Sequence, residues 1–136
     1  MLEHLNRSEV TPERVVILGS GGFVGGTAQR LLEQNGVPVL GLARRDVDLM
    51  TPNAGDTLAE LLNETDSLVV VSANAPCKNA AMLLENVQMM NTVCDAITTI
   101  EPAHIIYISS DAVYHDSPSP MSEDACAAPG SAHGAM

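Results

Sequence analysis

Gly19, Gly22 and Gly25 are spaced three residues apart, and their type and spacing indicate a binding site. They lie in the segment GSGGFVG, which follows the apolar run RVVIL and precedes a stretch with helical apolar spacing. Glycines between a buried strand and a helix permit a sharp turn and let the backbone approach a pyrophosphate, and they let the helix pack close to the sheet. The free backbone N–H groups and the partial positive charge at the N-terminus of such a helix favour the binding of phosphate. The motif predicts a dinucleotide site; the alternative is a purely structural tight turn.

Two adjacent arginines follow the second predicted strand, where a dinucleotide fold contacts the adenosine ribose. Arg44 and Arg45 are two of only six Lys and Arg residues in the chain. A guanidinium group suits a 2′-phosphate, so the pair favours NADP over NAD as the cofactor. The alternative is that both are solvated surface charges. Asp48 and Leu49 follow closely and are candidates to contact the adenine.

Strands and helices must alternate to position these residues. Apolar runs predict strands at 14–19, 37–43, 68–73 and 104–109, and helical spacing predicts helices at 23–35, 56–63 and 79–100. Asp56 is the predicted N-cap of the second helix. Such alternation implies right-handed crossovers and a parallel sheet with helices on both faces. The predicted fold class is α/β, a Rossmann-type doubly wound parallel sheet that is incomplete, with about four strands and three helices.

The third predicted helix carries apolar residues on two stripes. The main stripe advances in steps of four and three residues, and the presence of a second stripe predicts that the helix is covered on two sides. The main stripe holds Leu83, Val87, Met90, Cys94 and Ile97, and the second stripe holds Met82, Met89 and Val93.

Composition excludes several classes of partner. Six Lys and Arg against 17 Asp and Glu give a formal net charge of −11, which disfavours binding to nucleic acid or to an anionic membrane surface. No apolar run approaches the roughly 18 residues of a membrane helix, and the polar N-terminus lacks a signal-peptide core, so we expect a cytoplasmic protein. The cysteines and histidines show no metal-ligand spacing, so no metal site is predicted. These residues are Cys77, Cys94, Cys126, His4, His104, His115 and His133.

Taken together, these segments resemble the extended short-chain dehydrogenases/reductases, the NAD(P)-dependent nucleotide-sugar epimerase and dehydratase family. The resemblance runs from about residue 14 to the last residue. It rests on GSGGFVG (19–25), DVDL (46–49), DSLVVVSANA (66–75), ENV (85–87), YISSDAVY (107–114), SED (122–124) and PGSAHGAM (129–136).

The resemblance implies a cofactor-binding role for residues at three strand ends. The glycine segment holds the pyrophosphate, the residues after the second strand contact the adenosine, and the end of the third strand passes the riboses. The implied cofactor residues are Gly19, Gly22, Phe23, Val24, Gly25, Arg44, Arg45, Asp48, Leu49 and Ala73.

For the catalytic positions, the resemblance implies Ser110 as the active-site Ser/Thr. From the residues alone, a strand-end serine that bonds its own backbone is the simpler interpretation. His133 falls on the tyrosine of the family's Tyr-x-x-x-Lys motif, and the lysine would be residue 137. A histidine exchanges protons near neutral pH, but an ordinary exposed loop residue is an equally good interpretation of His133.

Three functional hypotheses follow. The complete protein transfers hydride to or from a nucleotide sugar; the chain is a non-catalytic NADP-binding module; or it is the cofactor-binding part of a longer enzyme. We expect a polar extension at 1–13, a dinucleotide-binding half-domain at 14–110 and an active-site loop segment at 111–136 that ends before the catalytic helix. Cofactor binding by this chain alone should then be weakened, and catalysis is not expected.

The same resemblance implies a homodimer through the helix at 79–100. Without the covering helix, Leu83, Met90 and Ile97 should be exposed, and the fourth strand should form an unprotected sheet edge.

Overall fold

The computed structural model describes residues 10–136, so most of the predicted extension at 1–13, including His4, lies outside the described residues. Strands and helices alternate as predicted. In order they are β1 (Arg14–Leu18), α1 (Phe23–Gln34), β2 (Val39–Leu42), α2 (Ala54–Leu61), β3 (Asp66–Val70), α3 (Ala80–Thr99), β4 (His104–Tyr107) and α4 (Ala132–Ala135), with a 3-10 turn at Asp111–Val113 between β4 and α4.

The four strands form one parallel sheet in the order β2-β1-β3-β4. Val16 of β1 pairs with Leu40 on one side and Leu68 on the other, and Leu68 pairs with Ile105 of β4. The chain leaves β1 toward β2 and then returns to the other side of β1, so the winding reverses between β1 and β3. The predicted doubly wound α/β fold is confirmed, and its reversal point is where such sheets bind ligands.

The core lies between the sheet and the α2–α3 pair, which pack against each other. Alternate strand residues point into it, among them the fully buried Val16 and Leu68. From α2 the core receives Leu58, which is also fully buried. The first helix packs on β1 and β2 instead. None of the helices within residues 10–136 is both long and apolar enough to cross a bilayer.

Several element boundaries depart from the predictions. Helix α2 begins at Ala54 with Asn53 before it, so Asp56 lies in the first turn and is not the N-cap. Strand β3 begins at Asp66, two residues earlier than predicted. The segment after β4 is not entirely loop, because the Ser131 side chain accepts a hydrogen bond from the Gly134 N–H and caps the short α4.

The two predicted stripes of α3 are covered to different extents. Val93 of the second stripe is buried together with Ala96, whereas Val87 and Cys94 of the main stripe are exposed. Asn86 is also buried on this helix, and an apolar pattern does not reveal a buried polar residue.

The expected exposure on α3 also shifts. Met90 and Ile97 pack partly against the core and Leu83 is half-buried, while Leu84 and Val87 are the exposed large apolar residues of this helix. Dimerisation through α3 stays a prediction.

Strand β4 lies at the edge of the sheet and pairs with β3. Its residues Ile105, Ile106 and Tyr107 are between 39% and 48% exposed, as expected of an uncovered edge strand.

An ion pair between the half-buried Arg14 and the buried Asp66 joins the first residues of β1 and β3, which are partners in the sheet register. The fully buried Asp66 carboxylate accepts from Arg14 Nε at 2.8 Å, from Arg14 Nη2 at 2.6 Å and from the Asn63 N–H at 2.7 Å. Arg14 Nη2 also donates to the Leu61 carbonyl at 3.0 Å. The hydrogen bonds to Asp66 raise the pKa of Arg14 above its ordinary value. The pair therefore fastens β3 to β1 and ties both to the end of α2.

Replacing this carboxylate should destabilise the fold. We expect Asp66→Asn to lower the free energy of unfolding by about 2 kcal/mol, because the Arg14 charge loses its partner but can be partly rehydrated. Urea unfolding followed by circular dichroism measures this, with the exposed Asp124→Asn as the matched control. Equal unfolding midpoints for the two variants would contradict a structural role for the pair.

Candidate functional site

An open cleft of about 940 Å³ lies at the carboxyl ends of β1, β2 and β3. The turn after β1, the loop after β2 and residues 71–74 after β3 form its walls, and Glu85 and Met89 of α3 contribute to one side. Seven of the predicted cofactor residues line it. They are Gly19, Gly22, Arg44, Arg45, Asp48, Leu49 and Ala73.

Two glycines of the turn after β1 have no room for a side chain. Gly19 has a φ of +104°, and a Cβ there would lie 2.9 Å from the Ser72 backbone nitrogen. A Cβ on Gly25, the buried residue of α1, would overlap the Gly19 carbonyl oxygen. The turn can therefore pass close to β3, and α1 can start directly against the end of β1.

The first turn of α1 lies beside the cleft, which its N-cap Gly22 lines. Gly22 is the N-cap and supplies no side-chain acceptor, and the first turn holds no acidic residue. The opening N–H groups of α1 are therefore available to an anion at the glycine turn. Phe23 and Val24 are in this first turn but do not line the cleft; Phe23 is 90% exposed.

The two arginines after β2 project into solvent at one end of the cleft. Arg44 Nε lies 3.2 Å from Asp48 Oδ2, and Arg45 Nε lies 3.7 Å from Asp46 Oδ1. Their side chains are 81% and 88% exposed, so these contacts are weak and easily exchanged for a ligand.

The neighbouring carboxylates are held by backbone donors, which the sequence analysis did not foresee. Asp46 Oδ2 accepts from the Ala43 N–H at 2.8 Å, and Asp48 Oδ1 accepts from the Met50 N–H at 3.1 Å. The bond from Met50, helped by Arg44, lowers the pKa of Asp48 below its ordinary value of 3.8. An Asp in a short loop commonly bonds nearby backbone in this way, so loop composition was the signal available.

A second polar group, which the sequence did not predict, lies at the loop that follows β3. Asn74 and Glu85 both line the cleft, and Asn74 Nδ2 donates to Glu85 Oε2 at 2.6 Å. The buried Asn86 holds the Asn74 backbone through a bond from the Asn74 N–H to its Oδ1 at 2.7 Å. These contacts join residues 11 and 12 positions apart, and local pattern does not predict them.

Ser110 lies beyond the carboxyl end of β4 and outside the walls of the main cleft. Its Oγ accepts from the Ala112 N–H at 3.1 Å and lies 3.2 Å from Asp111 Oδ1, to which it donates. The hydroxyl thus caps the 3-10 turn, as the simpler sequence interpretation expected.

His133 is in α4 and is half-buried. Its Nδ1 accepts from the Cys77 N–H at 3.4 Å, which ties α4 to the loop before α3. Helix α4 also packs tightly on the 3-10 turn, since a Cβ on Gly134 would overlap the Ala112 carbonyl oxygen. The structure therefore brings together the elements that carry Ser110 and His133, beside the cleft rather than within it.

Solved structures with the same fold include three sugar-nucleotide enzymes by name. The ADP-L-glycero-D-manno-heptose-6-epimerase of Helicobacter pylori is 18% identical with a TM-score of 0.75, and the alignment covers 98% of this chain and 50% of that one. The UDP-N-acetylglucosamine 4-epimerase of Bacillus cereus is 19% identical with a TM-score of 0.69, covering 90% and 49%. The dTDP-4-dehydrorhamnose reductase of Bacillus anthracis, solved with NADP, is 20% identical with a TM-score of 0.73, covering 94% and 47%. This chain thus spans about half the length of each.

Family membership rests on sequence. Among proteins with curated descriptions, none matches this chain. The sequence profile of the NAD dependent epimerase/dehydratase family, however, matches residues 15–136, which include the glycine turn, the whole cleft and the segments of Ser110 and His133. The chain belongs to the NAD dependent epimerase/dehydratase family.

Proposed function

We propose that this chain is the nicotinamide-dinucleotide-binding part of a protein that transfers hydride at a nucleotide sugar. The observation that carries the proposal is the glycine turn after β1, where Gly19 and Gly25 let the turn pack against the end of β3 and let α1 start directly after β1, and where the start of α1 is free to bind phosphate. The sugar-nucleotide names of the matched structures support the substrate class.

The residues present fit such a cofactor. The cleft of about 940 Å³ runs across the ends of three strands and is large enough for a dinucleotide. Gly19, Gly22 and Gly25, with the N–H groups of Phe23 and Val24, would hold the pyrophosphate; Leu49 and Asp48 would flank the adenine, and Ala73 the second ribose. When bound, the nicotinamide group accepts or donates hydride.

Within this function we propose a preference for NADP. One oxygen of Asp46 and one of Asp48 already accept hydrogen bonds from backbone N–H groups, so these acids are less available to a ribose 2′-hydroxyl. The terminal guanidinium nitrogens of Arg44 and Arg45, in contrast, are exposed at the cleft wall and suit a 2′-phosphate.

Adding a methyl group inside the glycine turn should remove cofactor binding. We expect Gly25→Ala to weaken NADPH binding at least about tenfold, because its Cβ would displace the Gly19 carbonyl and the start of α1. Titration of NADPH fluorescence measures the dissociation constant, and circular dichroism confirms the fold of the variant. The matched control is Gly130→Ala, where a Cβ meets open space. Equal affinities for the two variants would contradict the pyrophosphate site.

The arginines should set the cofactor preference. We expect the double substitution of Arg44 and Arg45 by Gln to weaken NADP⁺ binding about tenfold and NAD⁺ binding less than about twofold, because only NADP⁺ carries the 2′-phosphate. Isothermal titration calorimetry with both cofactors measures the ratio. Arg30→Gln, on the exposed surface of α1, serves as the control. An unchanged ratio in the double variant would show that the arginines are solvated surface charges.

A second function, cofactor binding without turnover, is favoured by the state of the two catalytic candidates. The Ser110 hydroxyl is engaged within its own turn, and His133 Nδ1 is engaged by the Cys77 N–H. In hydride transfer at a nucleotide sugar, Ser110 would instead polarise the sugar oxygen, and His133 would exchange a proton with that oxygen.

These two functions differ in what Ser110→Ala should do. With NADP⁺ and UDP-glucose as the probe, the binding function predicts the same absorbance at 340 nm for this variant and the unsubstituted chain. An absorbance increase that Ser110→Ala abolishes, while NADP⁺ affinity is retained, would overturn the binding-only function and assign Ser110 to catalysis.

A further inference from the structure

The loop after β3 is fixed to α3 through one buried side chain. Asn86 Oδ1 accepts from the Asn74 N–H at 2.7 Å, and Asn86 Nδ2 donates to the Asn74 carbonyl at 3.1 Å and to the Met82 carbonyl at 2.9 Å. Only 6% of Asn86 is exposed. Both backbone groups of Asn74 are therefore used, and its side chain is presented from a fixed position.

That side chain meets a carboxylate at the cleft wall. Asn74 Nδ2 donates to Glu85 Oε2 at 2.6 Å, and both residues line the cleft. The amide donor of Asn74 thus points to Glu85, which leaves Asn74 Oδ1 and Glu85 Oε1 as the atoms that a ligand can use. Both atoms are hydrogen-bond acceptors, and the pair carries a negative charge.

The charge and the hydrogen-bonding groups of the cleft wall therefore change from one strand end to the next. The β2 end carries Arg44 and Arg45, the β1 end offers the N–H donors of α1, and the β3 end offers the acceptors of Asn74 and Glu85. A phosphate is favoured at the first two positions and disfavoured at the third. The third suits a group that donates hydrogen bonds or carries positive charge.

We propose that Glu85, positioned by Asn74 at the β3 end of the cleft, makes the site favour the oxidised form of the dinucleotide over the reduced form. The inference rests on the proposed function, since a dinucleotide anchored at Arg44 and at the glycine turn continues across β1 toward β3 in the sheet order β2-β1-β3. The ribose hydroxyls donate to Asn74 Oδ1 and Glu85 Oε1. The carboxylate stabilises the oxidised nicotinamide ring, which is positively charged, over the reduced ring, which is neutral.

The test compares the dissociation constants of NADP⁺ and NADPH in three variants of the full chain by calorimetry. We expect Glu85→Gln to weaken NADP⁺ about fivefold and NADPH less than about twofold, the size expected for one exposed charge near another. Asn74→Ala should weaken both forms by a similar factor of about five, because the hydroxyls are common to both. Glu101→Gln, exposed and outside the cleft, should leave both constants unchanged.

Each other outcome overturns a stated part of the proposal. An unchanged ratio of the two constants in Glu85→Gln overturns the preference for the oxidised form. Unchanged affinities in Asn74→Ala, with an unaltered circular dichroism spectrum, overturn the hydroxyl contact. Binding of both cofactors by the unsubstituted chain separates these failures from failure of the proposed function; if it binds neither form, the function and the inference both fall.

Discussion

The contact of Gly25 with the Gly19 carbonyl is the constraint on which the rest of the site depends. Helix α1 begins immediately after the turn from β1, and it can do so only because Gly25 carries no Cβ. A side chain at Gly25 would move α1 away from β1 and would turn its opening N–H groups away from the cleft. The same turn passes within van der Waals distance of Ser72, so the β1 and β3 ends of the cleft are fixed relative to each other.

The opposite end of the sheet fixes which residues reach that cleft. The Arg14–Asp66 pair holds β1 and β3 in register at their first residues. A parallel strand that slips by one residue presents its other face, so this register places residues 71–74 beside the glycine turn. The cations after β2, the N–H donors after β1 and the acceptors at the end of β3 therefore lie next to one another along the cleft, because the three strands are neighbours in the sheet.

Local features of the sequence predicted the fold and the glycine turn. Apolar runs and glycine positions act within a few residues, and they predicted the alternation of parallel strands with helices and the position of the glycine turn. The features that the apolar pattern did not predict depend on contacts between distant residues or on single polar residues. The burial of Asn86 on α3 is not visible in an apolar pattern, and the bond of Asn74 to Glu85 joins two elements that no periodicity connects. The hydrogen bonds that Asp46 and Asp48 accept from backbone N–H groups depend on the conformation of one short loop.

The proposed site depends first on binding of the dinucleotide pyrophosphate by the N–H groups that open α1. Two-dimensional nitrogen–proton NMR during a titration with NADP⁺ reports on each of these amides. We expect saturable chemical-shift changes at Gly22, Phe23 and Val24, smaller changes at Arg44 and Asn74, and none at Glu101. Saturable binding that leaves the amides of residues 19–25 unshifted would rule out this pyrophosphate site.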